Sequence, residues 1–300
     1  MKYLWSFSVL MFLSGFQSDA FAQLINSNFG LRQKMGLSIS QQMSSGSFDD
    51  FDLQQHHTNF QAFLPLLIKV DTSASKPKIA LLKAEYTFRN TENVFSDNFV
   101  EPFPTDFFAN SLALSFTHTV GYPFFLNYSV RFTYSGDYKA YNPLHFTAST
   151  YFIYRINKKL SIGAGIVYQQ SNSDFPRFIY IPYVDWRINE NWFIDITSPV
   201  RFLFGRNFGK NKVTQLALAS YLEFITRYAF RVQDTNQIYE STDIAAGLDF
   251  RTQLHNKLFF NAFLGSNVYK HINFISNNTD YTIISNSGLN FKLGLSLNLE

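Results

Sequence analysis

The sequence predicts an all-β fold, a transmembrane antiparallel up-and-down β-barrel, and three observations carry that prediction. Apolar and polar residues alternate along most of the chain, and tight turns alternate with longer polar connections. After the first residues, no block of about 20 apolar residues offers a helical crossing of a bilayer. Composition agrees with all three. Aromatics are 18% of the 300 residues (35 Phe, 17 Tyr, 3 Trp) and charged residues only 16%, against roughly 25% in soluble domains. Hydrophobics reach 46%, yet mean hydropathy is −0.09, so apolar residues must be interleaved with Ser, Thr, Asn and Gln. The absence of Cys excludes disulfides, zinc-thiolate and Fe–S centres and a Cys nucleophile.

The chain opens on Lys2, an apolar run from Leu4 to Leu13, and Ala20-Phe21-Ala22 ahead of Gln23. That order of charge, short apolar core and small-x-small site predicts a secretory signal peptide over 1–22, cleaved near Ala22-Gln23. The mature chain, 23–300, keeps a net charge of +3, because 1–22 carries one Lys and one Asp. No linker, repeat or composition break divides it, so one barrel domain is expected.

Strands follow in chain order. Successive side chains of a strand point to opposite faces, and the apolar phases read Leu112/Leu114/Phe116, Leu126/Tyr128/Val130/Phe132/Tyr134, Leu144/Phe146/Ala148 and Leu160/Ile162/Ala164/Ile166/Tyr168. Tyr180/Val184/Trp186/Ile188, Ile244/Ala246/Leu248/Phe250, Leu258/Phe260/Ala262/Leu264 and the C-terminal run Leu289 to Leu299 continue the pattern. Most runs are 10–13 residues long, enough for a tilted crossing of about 9–11 residues. Tight turns fall at Gly121-Tyr122-Pro123, Asn157-Lys158-Lys159, Asn189-Glu190-Asn191 and His255-Asn256-Lys257. Longer polar stretches fall near 44–57, 91–109, 136–143, 171–177, 232–242 and 269–284. Short periplasmic turns and longer extracellular loops are the asymmetry of outer-membrane barrels.

Aromatics gather at strand ends. Tyr122, Phe124, Phe125, Trp186, Trp192, Phe259 and Phe260 sit by the tight turns, and Tyr134, Tyr138 and Tyr141 mark the opposite edge, as interfacial girdles require. The strand count turns on residues 192–231. Reversals at Ser198-Pro199 and between Gly205 and Lys212 give 14 strands, but 192–197 and 200–204 are short for spanning. About 12 strands is the preferred count and 14 the alternative.

The polar phase places Arg131, Arg155, Asp185, Arg187, Asp195, Glu223, Arg227, Asp249, Arg251 and Lys292 toward the lumen, six basic and four acidic. Mixed signs suit either a structural ion-pair network or a filter with mild anion preference. Gly163, Gly165, Gly247, Gly265 and Gly294 share that phase, leaving room for a pore or letting segments pack closely. The six His residues form no nucleophile–base or metal motif. Asp49, Asp50, Asp52, His56 and His57 cluster in an expected extracellular loop, which is either a weak divalent-metal candidate or a solvated polar loop. No phosphate loop is present, and the scattered basic residues leave no nucleic-acid footprint. No cofactor is expected.

The stretch Ile181-Pro182-Tyr183-Val184-Asp185-Trp186-Arg187-Ile188-Asn189-Glu190-Asn191-Trp192-Phe193-Ile194-Asp195-Ile196-Thr197-Ser198-Pro199 resembles a family of uncharacterised outer-membrane β-barrels, a domain of unknown function common in the Bacteroidota. That resemblance implies fold and location and transfers no catalytic residues. One departure is the ending Leu297-Asn298-Leu299-Glu300, where many outer-membrane barrels end in an aromatic residue. The functional expectation is a non-enzymatic outer-membrane protein, either a narrow porin-like channel or a structural surface protein. The rivals are a rim enzyme acting on lipid or peptide and a soluble secreted β protein. The implied partners are outer-membrane lipid, the barrel-assembly machinery during biogenesis and a small solute.

Overall fold

The computed structural model describes residues 35–47, 52–71, 78–96, 105–121, 123–136, 144–169, 178–197, 201–209, 213–232, 235–275, 280–285 and 288–298. The expected signal peptide lies outside them. The strands are β1 (Gly36–Ser47), β2 (Asp52–Asp71), β3 (Lys78–Phe95), β4 (Asp106–Gly121), β5 (Phe124–Gly136), β6 (His145–Arg155), β7 (Leu160–Gln169) and β8 (Phe178–Arg187). They continue with β9 (Trp192–Thr197), β10 (Arg201–Phe208), β11 (Thr214–Val232), β12 (Thr235–His255), β13 (Leu258–Ile275), β14 (Asp280–Ser285) and β15 (Leu289–Asn298). Sequence neighbours from β1 to β13 pair antiparallel, and β15 pairs with both β13 and β1 to close the ring. β14 and β15 lie end to end along the same edge of β13, on Lys270–Ile275 and Leu258–Ser266 respectively. They fill one position in the wall, so the closed barrel has 14 strands.

That count is the alternative expectation rather than the preferred 12. Short as they are, β9 and β10 pair with each other and with β8 and β11, because a barrel needs continuity around its girth and not equal height at every strand.

The alternation sorts by side as expected. Leu112, Leu114, Tyr128, Phe132, Phe152, Ile162, Leu218, Leu248, Leu264 and Leu295 are exposed on the outer face, while Arg131, Ser129, Asn127, Thr117, Ser115 and Asn59 are buried within. An apolar exterior around a polar interior is the inversion a bilayer demands, and it argues against the soluble reading. Leu218→Arg, on a residue 58% exposed at the outer face, should cost about 2–4 kcal/mol. Denaturant titration in lipid vesicles measures this, and a loss below 0.5 kcal/mol would mean that Leu218 does not face hydrocarbon.

Turn chemistry sets the register at one end. Asn157 Oδ1 accepts from the backbone N–H groups of Lys159 (2.7 Å) and Leu160 (3.0 Å). Asn189 Oδ1 does the same for Asn191 (2.8 Å) and Trp192 (2.9 Å). Both are Asx turns, so two of the tight turns read from sequence share one mechanism. Gly209, with φ +84°, takes the left-handed conformation after β10. Trp186 and Trp192 stand exposed at this end, as does Phe124. Phe125 faces the lumen instead and is buried.

The other end departs from expectation. Stretches 232–242 and 269–284, expected as loops, are largely strand: β11 and β12 are separated only by 233–234, and β13 runs on to Ile275. Residues 52–57, also in an expected loop, belong to β2.

Candidate functional site: the lumen and its outer flap

Two register shifts lie side by side, between Glu223 and Thr226 on β11 and between Ile244 and Ala245 where β12 meets β13. Bulges bend strands, and here they turn the ends of β11, β12 and β13 inward. Ala229 of β11 pairs with Gly136 of β5, far around the wall. Tyr239 of β12 stacks on Phe107 of β4 at 5.0 Å and 28°. With β14 as its last strand, this four-stranded flap lies across the mouth of the barrel.

A clasp fastens the flap to β1 and β2. Lys270 Nζ donates to Ser44 Oγ (2.9 Å), Asp243 Oδ2 (2.9 Å) and Gln55 Oε1 (2.5 Å). An ammonium has three donors, and all three are used at a residue with no exposed surface. Ser44 Oγ donates on to Asp243 (3.2 Å) and accepts from Asn267 Nδ2 (2.8 Å). Asn290 Nδ2 donates to Asn267 Oδ1 (2.8 Å), and Gln55 Nε2 donates to Asn93 Oδ1 (2.9 Å) and the Tyr239 hydroxyl (2.8 Å).

Below the flap, the lumen carries three textures. On the β2–β5 side is a polar ladder. Arg131 Nη2 meets Glu85 Oε1 at 3.0 Å, Arg89 Nε donates to Asn59 Oδ1 at 2.6 Å, and Lys83 is buried on the same face. On the β5–β8 side the lining is apolar: Phe125, Tyr151, Ile153, Val167, Ile179, Ile181 and Tyr183 form one cluster, joined by Leu222 of β11. Between β8 and β10, Asp185 and Asp195 face each other across the strands. Arg187 lies 3.3 Å from Asp185 and Arg201 lies 2.7 Å from Asp195. Two carboxylates directly opposite repel, and the two guanidinium groups balance them.

The expected charges divide accordingly. Arg131, Asp185, Arg187 and Asp195 hold ion pairs. Asp249 Oδ2 accepts from the Tyr221 hydroxyl at 2.6 Å, Arg251 lies 4.7 Å over the Phe259 ring, and Arg155 Nε donates to the Asn157 carbonyl at 3.3 Å. Lys292 sits on β15 opposite Phe263. Glu223 and Arg227 belong to β11 by backbone pairing, and their side chains lie outside the described ones. Sequence reasoning missed Lys83, Glu85, Arg89, Arg201, Asp243 and Lys270. The polar phase Lys83/Glu85/Thr87/Arg89/Thr91/Asn93, alternating with Leu82/Ala84/Tyr86/Phe88, was the available signal for the first three.

The glycines pack closely. A Cβ on Gly165 would meet the Tyr151 ring (Cε1 at 2.7 Å), one on Gly163 the Ile153 Cα at 3.1 Å, and one on Gly294 the Ser40 Cβ at 3.0 Å. Gly247 and Gly265 lie directly against the backbone of Leu264 and Ala246 respectively.

Asp49 and Asp50 lie outside the described residues. Asp52 accepts from Ser47 Oγ at 2.5 Å. His56 is exposed on one face of β2 and His57 buried on the other, so the strand points the two imidazoles apart. Among the described residues no three His, Asp or Glu converge as metal ligands. His57 Nδ1 lies 2.9 Å from Thr91 Oγ1, within base–nucleophile reach, but Thr91 has no exposed surface to meet a substrate.

The Glu85–Arg131 pair makes a prediction. Arg131→Met leaves Glu85 buried and uncompensated, so it should cost about 3–5 kcal/mol. Adding Glu85→Met should return most of that in equilibrium unfolding. A double variant no better than the single one would show that the pair is not the unit of stability.

A closed antiparallel barrel, apolar outside and polar within, defines the molecule as a membrane-type β-barrel with a covered mouth. The chain belongs to the family described as Domain of unknown function (DUF6268), whose model matches residues 27–299. No curated protein matches it. Among solved structures, it is similar to the COG4313 outer membrane channel from Pseudomonas putida F1, with 10% identity, a TM-score of 0.44, and 89% of this chain and 96% of that one covered. A second is the TodX monoaromatic hydrocarbon channel, in a deletion mutant, with 9% identity, a TM-score of 0.41, and 93% of this chain and 93% of that one covered.

 A third is an active-site mutant of the outer membrane phospholipase A from Escherichia coli, with 9% identity, a TM-score of 0.39, and 92% of this chain and 95% of that one covered.

Proposed function

We propose that this protein is a non-enzymatic outer-membrane barrel that acts as a narrow, gated channel, exported with cleavage of its N-terminal segment near Ala22-Gln23. The observation that carries the reading is the flap, held over the mouth by a clasp in which Lys270 spends every donor on β1, β2 and β12. A purely structural wall has no need of a hydrogen-bonded cover over its own lumen. Short Asx turns face the periplasm and the flap faces outward, following the usual asymmetry of such barrels. The charges of the polar ladder and the β8–β10 cluster lie along the solute's path, and their basic excess gives the conducting state a mild anion preference.

The test is conductance of the refolded protein in planar bilayers, first intact and then with the clasp cut by Lys270→Met. The intact protein should dwell closed, and the variant should conduct with a reversal potential shifted toward anions. Silence from both, with heat-modifiable mobility showing that both are folded, would remove the channel reading. A clear cation preference would remove only its selectivity.

A further inference from the structure

The outer face of one side of the wall carries a single charge. Across β5 to β10 the even-numbered strand residues point outward, and of these only Arg206 is charged. It is exposed. It pairs with Trp192, the first residue of β9, and with Leu216 of β11. The Asn207 N–H donates to the Asn191 carbonyl at 2.8 Å, and β10 ends at Phe208. Arg206 therefore stands beside an Asx turn, level with an exposed tryptophan, where hydrocarbon gives way to headgroups. An outward arginine costs least at that depth.

Aromatic rings hold the guanidinium in place. Its Cζ lies 5.7 Å from the centroid of the Trp192 ring and 5.2 Å from that of Phe208, both inside the cation–π reach of about 6 Å. Trp192 stacks in turn on Phe204 at 5.3 Å and 19°. The row Phe204, Trp192, Arg206, Phe208 thus runs from the apolar belt to the rim. Phe202, Leu216 and Leu218 are exposed on the same face beside it, an apolar strip leading into the bilayer.

Rings attract a cation but offer no oxygen to its N–H edge. The inward arginines Arg131, Arg187 and Arg201 each lie against a carboxylate. Arg206 does not: among the described residues no acceptor takes its N–H groups. A planar fork of donors matches two phosphate oxygens at once. The site also falls where the wall is short, on strands of six and eight residues.

We propose that Arg206 and its aromatic row form a binding site for a bilayer phospholipid. The guanidinium edge takes the phosphate of the headgroup, and one acyl chain lies along Phe202, Phe204, Leu216 and Leu218. The bound lipid braces the β9–β10 hairpin from outside. The inference rests on the reading of the chain as a membrane barrel and is independent of conduction.

Trp192 reports the site directly. With Trp5→Phe and Trp186→Phe it is the one tryptophan of the chain. The refolded full chain is placed in vesicles of digalactosyl diacylglycerol, a bilayer lipid without phosphate. These are doped with brominated phosphatidylglycerol or with brominated digalactosyl diacylglycerol, and Trp192 quenching is read against mole fraction. Phosphatidylglycerol should quench at a mole fraction about tenfold lower, and Arg206→Gln should erase the difference. Equal quenching by the two lipids, or a preference that Arg206→Gln leaves unchanged, would overturn the site. Displacement by soluble glycerol phosphate would overturn it too, in favour of a free-anion site. Arg206→Met repeats the comparison should Arg206→Gln fail to give the heat-modifiable folded form. A chain that inserts but shows no preference loses only this site, whereas one that does not insert loses the membrane reading and the site with it.

Discussion

Replacing Lys270 by Met should release the flap and raise the open population by about 10²- to 4 × 10³-fold. The substitution keeps much of the stem's volume but removes the cation, leaving Asp243 buried without its ion partner and Ser44 and Gln55 without their shared donor. Breaking a buried pair in this way costs about 3–5 kcal/mol, and each 1.4 kcal/mol is a factor of about ten in population. The cost falls on the closed arrangement alone, because Asp243 regains water once the flap lifts. The barrel below keeps its own pairing, so heat-modifiable mobility should stay intact while open probability rises. Asp243→Asn should act in the same direction but less strongly, since Gln55 and Ser44 still receive the ammonium. Unchanged gating in Lys270→Met would show that the Tyr239–Phe107 stack and the Ala229–Gly136 pairing hold the flap without the clasp.

Gly247→Leu should abolish the folded barrel. The missing Cβ position on Gly247 is occupied by backbone, that of Leu264 and Gly265 on the neighbouring strand, and backbone in a closed sheet cannot step aside as a flexible side chain can. Ordinary overpacking costs about 1–3 kcal/mol, and this clash, made against main chain between β12 and β13, should exceed that range. The same clash is returned from the other strand, where Gly265 meets Ala246. Heat-modifiable mobility after refolding is the readout, with Gly121→Ala as the control, since a Cβ there meets nothing within 4 Å. A folded Gly247→Leu barrel would show that β12 and β13 separate locally without opening the ring.

Much of the wall was legible in advance because period-two alternation is a local signal that each strand writes for itself. Arg131, Asp185 and Asp195 stand out by parity alone as charges in the polar phase, and all three are buried and ion-paired. The Asx turns at Asn157 and Asn189 were visible for the same reason. The flap was not, because polar residues in a strand that leaves the wall resemble polar residues in a loop, and alternation is lost where both faces are covered, as at Tyr239, Glu240 and Thr242. Thr242 and Asp243 are adjacent and both buried, which no one-sided strand permits. Lys270 was missed because its meaning lies in Ser44 and Gln55, more than 200 residues away. The aromatics divide more evenly than composition implied. Phe124, Trp186 and Trp192 face outward, but Phe125, Tyr151, Tyr183 and Phe193 fill the interior.

The seam between β1 and β15 carries a consequence for how the molecule comes into being. Its contacts join the two ends of the fold: Gln42 Nε2 reaches Asn290 Oδ1 across 248 residues of chain. Contacts this distant in sequence form late and slowly. Until β15 is in place, β1 keeps one edge of unpaired amides and carbonyls, an invitation to the wrong partner. A nascent chain therefore spends its whole synthesis as an open ribbon with two adhesive borders, and its survival depends on keeping them apart from other ribbons until its own last strand arrives.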